Sequence, residues 1–187
     1  MSESGPPVET AGPVRMDNKP GWQPRPARET PADEMEFVMQ IQTTRFGFLD
    51  IEESQLVTFT RGLLGFPRHT RFALIDPRGD SCFSWLQSVD DAGLAFVVTD
   101  PSIFFKDYEV PVRDESVADL KLGDVNDVQV LTICNKVGEW LTGNLLGPLL
   151  VNSKNRLGVQ VVLTEKKYTT RQPLMKVETQ VPLARSA

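Results

Sequence analysis

Phe37-Val38-Met39-Gln40-Ile41-Gln42 is the stretch on which the fold turns. In an extended chain Phe37, Met39 and Ile41 face one way and Val38, Gln40 and Gln42 the other, the period of a strand with one wet face. The pattern returns near the end of the chain, where Val159, Val161 and Leu163 alternate with Gln160, Val162 and Thr164. Between them, Phe72 to Ile75, Leu94 to Val98 and Val128 to Cys134 are apolar or small at nearly every position, which predicts strands covered on both faces. Turn chemistry separates these segments: Asp76-Pro77-Arg78-Gly79-Asp80, Asp100-Pro101-Ser102, and Asn152 to Gly158. Pro111, inside Tyr108 to Arg113, has no N–H to give a ladder, so that strand belongs at an edge or a bulge. One helix is predicted, capped by Asp114 or Ser116, carrying Val117, Leu120 and Leu122 on one side and ending at Gly123. With no repeat and no heptads, the expected fold is all-β: a small closed or partly open antiparallel β-barrel or sandwich of about eight to ten strands with one short helix.

Working outward, residues 1–35 hold seven of the 14 prolines and only one aromatic residue, Trp22. Such a stretch buries too little apolar surface to offset the cost of ordering the chain, and it reads as a disordered Pro-rich tail. Trp22 to Pro26 is either a short binding segment within it or a dispensable extension. Residues 36–175 form the folded domain and 176–187 a flexible C-terminal tail. Net charge is −5, which repels polyanions, and no basic cluster offsets it. The longest apolar runs, Val128 to Cys134 and Leu145 to Val151, are about half of the roughly 20 residues a membrane-crossing helix needs. The start of the chain lacks the basic and apolar regions of a secretory signal. Two cysteines 52 positions apart, each in an apolar context, read as core residues in a reducing compartment. A soluble, cytoplasmic protein is expected.

The search for chemistry turns up little. Gly62-Leu63-Leu64-Gly65 and Gly143-Asn144-Leu145-Leu146-Gly147 suit tight apolar bends rather than phosphate loops. The carboxylate pairs Glu52-Glu53, Asp90-Asp91 and Asp124 with Asp127 lie in hydrated connections, where no carboxyl is desolvated for acid catalysis. No metal, cofactor or catalytic set is expected. His69 is the only histidine and reads as a solvated turn residue. A rival class uses it: a small-molecule-binding or hydrolytic β-barrel with His69 and Ser88 or Thr142 at its mouth. Lys166-Lys167-Tyr168 with Arg171 is the only basic and aromatic patch, and it reads as a solvated final strand rather than a nucleic-acid site. Gln87, Ser88, Asn144 and Asn152 are polar residues lodged in apolar motifs. They either satisfy strand ends or meet a partner, and Trp85, Leu63, Leu64 and Phe66 are either core or contact residues. Sequence leaves both pairs of readings open.

In order, Phe59-Thr60-Arg61-Gly62-Leu63-Leu64-Gly65-Phe66-Pro67, Phe83-Ser84-Trp85-Leu86-Gln87-Ser88, Asp100-Pro101, Tyr108, Asn144-Leu145-Leu146-Gly147-Pro148, Gly158-Val159-Gln160 and Tyr168-Thr169-Thr170-Arg171 resemble the flagellar assembly factor family, FliW. The resemblance runs from about Met39 to Leu174. It implies a non-enzymatic, monomeric, cytoplasmic chaperone-like protein that binds the RNA-binding translational repressor CsrA and, separately, flagellin. Release of flagellin by secretion would free the factor to relieve repression of flagellin mRNA. The expected partner-binding residues are Leu63, Phe66, Trp85 and Leu145 for an amphipathic flagellin helix, with Gln87, Ser88 and Asn144 beside them. Asp90, Asp91, Asp107, Glu109, Asp114 and Glu115 are expected to repel RNA phosphates from CsrA by like charge.

Overall fold

The computed structural model describes residues 38–76 and 81–177, and the main chain of 13–15. The strands are β1 (Pro13–Arg15), β2 (Val38–Thr43), β3 (Gly47–Glu52), β4 (Leu56–Phe59), β5 (Arg71–Ile75), β6 (Phe83–Ser88), β7 (Ala95–Thr99), β8 (Glu109–Pro111), β9 (Val128–Val137), β10 (Trp140–Gly143), β11 (Leu149–Asn152), β12 (Leu157–Gln160) and β13 (Gln172–Lys176); the one α-helix is α1 (Asp114–Leu120). Seven of them close a ring, β4-β5-β6-β7-β9-β11-β12 and back to β4. Every step is antiparallel except β12 with β4, which is parallel, so the barrel is not purely antiparallel as expected. β9 is the strand on which the sheet branches. Residues 128–131 pair with β11, 132–134 with β7 and 134–137 with β10, which carries β13 on its far side.

The fully apolar strands are explained by two cores, one on each face of the same strand. In β5, Phe72 and Leu74 point into the barrel while Ala73 and Ile75 pack outside it, under the β2–β3 hairpin and its buried Ile41 and Ile51. In β9 and β11, Leu131, Leu149 and Val151 point inward, while Val128, Val130 and Leu150 meet Tyr108, Val110, Val112 and Leu120 from β8, α1 and their flanks. Each enclosed aliphatic side chain stabilises the fold by about 1.5–3 kcal/mol. Hairpin and helix are therefore the lids that make a closed sheet dry on its outside as well.

The barrel sheet, with β10 and β13, holds nine strands, within the eight to ten expected, and β1–β8 and β2–β3 form two further two-stranded sheets among the described residues. Several expectations need correction. The segment expected as a strand over 159–164 is strand only to Gln160; beyond it, Val161 and Leu163 still donate N–H bonds to the Pro148 and Leu146 carbonyls. Neither Asp114 nor Ser116 caps α1: the N-cap is Arg113, without a side-chain bond, and Lys121 at φ 49° rather than Gly123 ends it. Cys82 is exposed rather than core, while Cys134 is buried in β9. Lys166 to Arg171 forms turns ahead of β13, not a final strand. Pro13–Arg15, inside the stretch read as a disordered tail, pairs antiparallel with β8. β8 is otherwise an edge, as Pro111 requires. The rest of residues 1–37, Trp22 to Pro26 included, lies outside the described residues, as do Pro77 to Asp80 and most of the C-terminal tail.

Candidate partner-binding surface

The glycine motif builds the first part of the surface. Gly62 and Gly65 adopt φ +66° and +85°, and the Phe66 N–H donates to the Leu63 carbonyl at 2.7 Å, closing a tight turn that tucks Leu63 inside and pushes Leu64 out, 61% exposed. A Cβ on Gly62 would lie 2.6 Å from the Phe66 carbonyl oxygen, so only glycine fits. The Leu64 N–H donates to Gln160 Oε1 at 2.8 Å, and Gln160 Nε2 donates to the Gly147 carbonyl at 3.0 Å, which joins this turn to the Asn144–Gly147 bend. Arg61 reaches the other way: Nη1 donates to Glu115 Oε1 at 2.9 Å and Nη2 to Asp119 Oδ1 at 3.0 Å. Those bonds and the two carboxylate charges hold the Arg61 guanidinium above its ordinary pKa. Arg61, Pro111, Arg113, Glu115, Asp119 and residues 159–163 line an open groove of about 240 Å³ between α1 and the end of β12.

Behind the groove stands a tyrosine pair. Tyr108, fully buried, donates its hydroxyl to the Leu145 carbonyl at 2.8 Å, and burial pushes its pKa up from 10. Tyr168 accepts the Glu109 N–H at 3.1 Å, so it ties β8 to the turn ahead of β13, and Lys167 lies 4.9 Å from its ring centroid. A second polar region lies at the β6–β7 turn. Gln87 Nε2 donates to the Ser88, Asp91 and Leu94 carbonyls at 3.0–3.1 Å, and Ser88 Oγ accepts the Asp91 N–H at 3.2 Å. Arg71 pairs with Asp90 at 2.7 Å, and Trp85 receives Arg45 on its face at 4.5 Å and Phe46 edge-on at 5.8 Å.

The expected partner residues divide accordingly. Leu63, Leu145 and Trp85 belong to three different apolar clusters and do not make one groove. Leu63, Gln87, Ser88 and Leu145 are buried, and Gln87 and Ser88 organise the β6–β7 turn from within. Phe66 and Asn144 are half-buried, and Asn144 Oδ1 is buried without a partner. Asp90, Asp91 and Asp107 are exposed and Glu109 half-buried. Ser88 Oγ and Thr142 Oγ1 are both engaged with main chain, the latter donating to the Asn135 carbonyl at 3.0 Å. The groups not anticipated from sequence are Asp119, which α1 brings to Arg61 only in three dimensions, and the Tyr108–Tyr168 pair, which was signalled only by two isolated tyrosines in the quoted motifs. No group of three or more His, Cys, Asp or Glu suited to a metal occurs among the described residues.

Compared with known proteins, residues 40–174 match the family model described as FliW protein. The chain is 43% identical to the flagellar assembly factor FliW of Magnetococcus marinus over 140 residues, 73% of this chain and 85% of that one. It is 42% identical to that of Bacillus subtilis over 139 residues, 73% of this chain and 96% of that one. A crystal structure of the flagellar assembly factor FliW superposes with a TM-score of 0.67 at 33% identity, covering 73% of this chain and 97% of that one. With 96% of the Bacillus subtilis protein used by the match, a segment as long as residues 1–37 has no counterpart there.

Proposed function

The chain belongs to the FliW family of flagellar assembly factors, and on that premise we propose that it acts as a partner switch between the translational repressor CsrA and flagellin. Free factor binds CsrA and lifts its block on flagellin mRNA; flagellin, when it accumulates, takes the factor away. The observation that carries this reading is the match over residues 40–174, which spans the whole seven-strand ring, α1 and all of the β2–β3 hairpin but Val38 and Met39. The surface is of a kind that serves it. Residues 107–119 present Asp107, Glu109, Asp114, Glu115 and Asp119 against one cation of their own, Arg113, with Arg61 reaching across to two of them. Carboxylates of that kind meet a basic RNA-binding protein favourably and disfavour incoming phosphates, more so at low salt.

The test is retention of purified CsrA on the immobilised full chain, repeated with excess flagellin. Retention that falls as flagellin is added is the expected result. Failure to hold either protein, with the chain folded, overturns the proposal.

A further inference from the structure

Strand β12 loses its neighbour on one side before it loses its neighbour on the other. Towards β4 the pairing stops at Leu157 with Thr58 and Gly158 with Phe59, and the chain of β4 then turns away through Gly62 at φ +66°. Towards β11 the bonding runs on, Val161 and Leu163 donating to the Pro148 and Leu146 carbonyls. Successive residues of an extended chain send their main-chain groups to opposite sides, so Gln160 and Val162 turn theirs to the side that β4 has left. The Val162 N–H has no partner among the described residues, and the residue is 58% exposed. Residues 159–163 line the open groove beside α1, whose far wall is Pro111, Arg113, Glu115 and Asp119.

An open edge of this kind is a template for pairing, and proteins commonly block one with proline or charge. β8 carries Pro111 and β13 carries Pro173, whereas Gln160-Val161-Val162-Leu163-Thr164 carries neither proline nor charge. The far wall decides what can enter. A sheet edge, such as that of a second copy of this barrel, would bring its own neighbouring strand about 4.8 Å further out, into α1 and the end of β8. A single extended segment has no such neighbour to place. Charge decides its composition: residues 107–119 and the Arg61 that bridges to them hold five carboxylates against two cations, Arg61 and Arg113. We infer that the groove takes one extended segment of a partner protein, β-branched and basic, which adds to the 160–162 edge as a strand.

The inference does not rest on the CsrA reading, and its test uses neither CsrA nor flagellin. The probe is the end-blocked peptide Thr-Val-Lys-Val-Thr, titrated into the full chain while main-chain amide resonances are followed. Shifts should centre on residues 159–163, and exchange at the Val162 N–H should slow about tenfold at saturation as it gains a bond. Shifts centred elsewhere, or none with the peptide in large excess, overturn the inference. Val162→Pro removes that donor without breaking a native bond and should weaken binding about tenfold; unchanged binding by the folded variant overturns strand addition. Should the variant not fold, two forms of the probe decide the same point, one N-methylated at both valines and one at the lysine and last threonine. Their amides face opposite ways, so one form should bind and the other should not, and equal binding overturns strand addition. The peptide with Glu for Lys should bind more weakly at low salt, the gap closing as salt shortens the screening length. Equal or tighter binding of the Glu form overturns the basic assignment.

Discussion

The rings of Tyr108 and Tyr168 lie 4.7 Å apart, centroid to centroid, with their hydroxyls on opposite errands: one to the buried Leu145 carbonyl, the other to the Glu109 N–H. The pair ties β8 to the Asn144–Gly147 bend on one side and to the approach of β13 on the other. Removing the two hydroxyls singly should therefore cost different amounts. Tyr108→Phe leaves a buried carbonyl without its donor and should destabilise by about 1–3 kcal/mol. Tyr168→Phe frees an N–H nearer to water and should cost less, about 0.5–1.5 kcal/mol. Denaturant midpoints of the two variants measure the difference, and the reverse order would mean that the Leu145 carbonyl is solvated.

Gln87 offers a sharper test, because sequence left it divided between a strand-end role and a partner contact. Its amide holds three carbonyls of the β6–β7 turn from a fully buried position. Gln87→Ala should lower stability by about 1–3 kcal/mol through the lost bonds and the space left behind, although the Leu94 and Asp91 carbonyls keep the Ser88 and Leu94 N–H donors. Gln87→Leu, of similar volume, fills the space and removes the unpartnered Oε1, so whatever loss it keeps measures the missing donors. Thermal unfolding decides it: an unchanged midpoint in both variants would return Gln87 to the surface and to partner binding.

What sequence made legible was the period of each strand, and what it left hidden was which neighbour covers each face. Phe72 to Ile75 declared itself covered on both sides, yet nothing in those residues says that the outer cover is the β2–β3 hairpin, whose own alternation reads as an ordinary wet strand. The Gly62–Gly65 turn was readable because glycine spacing reports backbone conformation directly. The grouping of Leu63, Trp85 and Leu145 into one groove was not, because motif order carries no information about which core a side chain enters. Cys82 and Cys134 show the same limit: each has one polar and one apolar neighbour, Ser81 and Phe83 for the first and Asn135 and Ile133 for the second, and only placement in the fold separates the exposed one from the buried one.

Glycines 62, 158 and 47 should rank in severity by what a methyl group would meet. At Gly158 a Cβ falls 2.6 Å from the Phe59 ring, and at Gly62 it meets main chain at the same distance with φ positive; at Gly47 the space is open and only φ +73° opposes it. Gly47→Ala should cost about 1 kcal/mol from backbone strain. Gly158→Ala, which overpacks against a buried ring, should cost about 1–3 kcal/mol. Gly62→Ala combines both penalties and should be the least stable of the three. Urea titration orders them, and a tolerated Gly62→Ala would mean that the 62–66 turn opens freely.

Burial separates the two thiols chemically as well as spatially. It pushes the Cys134 pKa up from 9 to about 12, with the Cys82 charge a smaller cause in the same direction. At pH 8 the native chain should therefore take up one equivalent of iodoacetamide, at exposed Cys82, and a second only after unfolding. The shift also has a consequence for stability. The folded thiol keeps its proton to about pH 12 while the unfolded one releases it near 9, so stabilisation from the neutral thiol is whole below pH 9 and is lost as pH rises toward 12. Tyr108, whose pKa is raised by burial from 10, loses its share over a window that begins at pH 10. Midpoints for unfolding measured from pH 8 to 11 should fall for the wild-type chain and fall less steeply for Cys134→Ser, compared at matched starting stability. Equal slopes would mean that the thiol reaches solvent before the fold is lost.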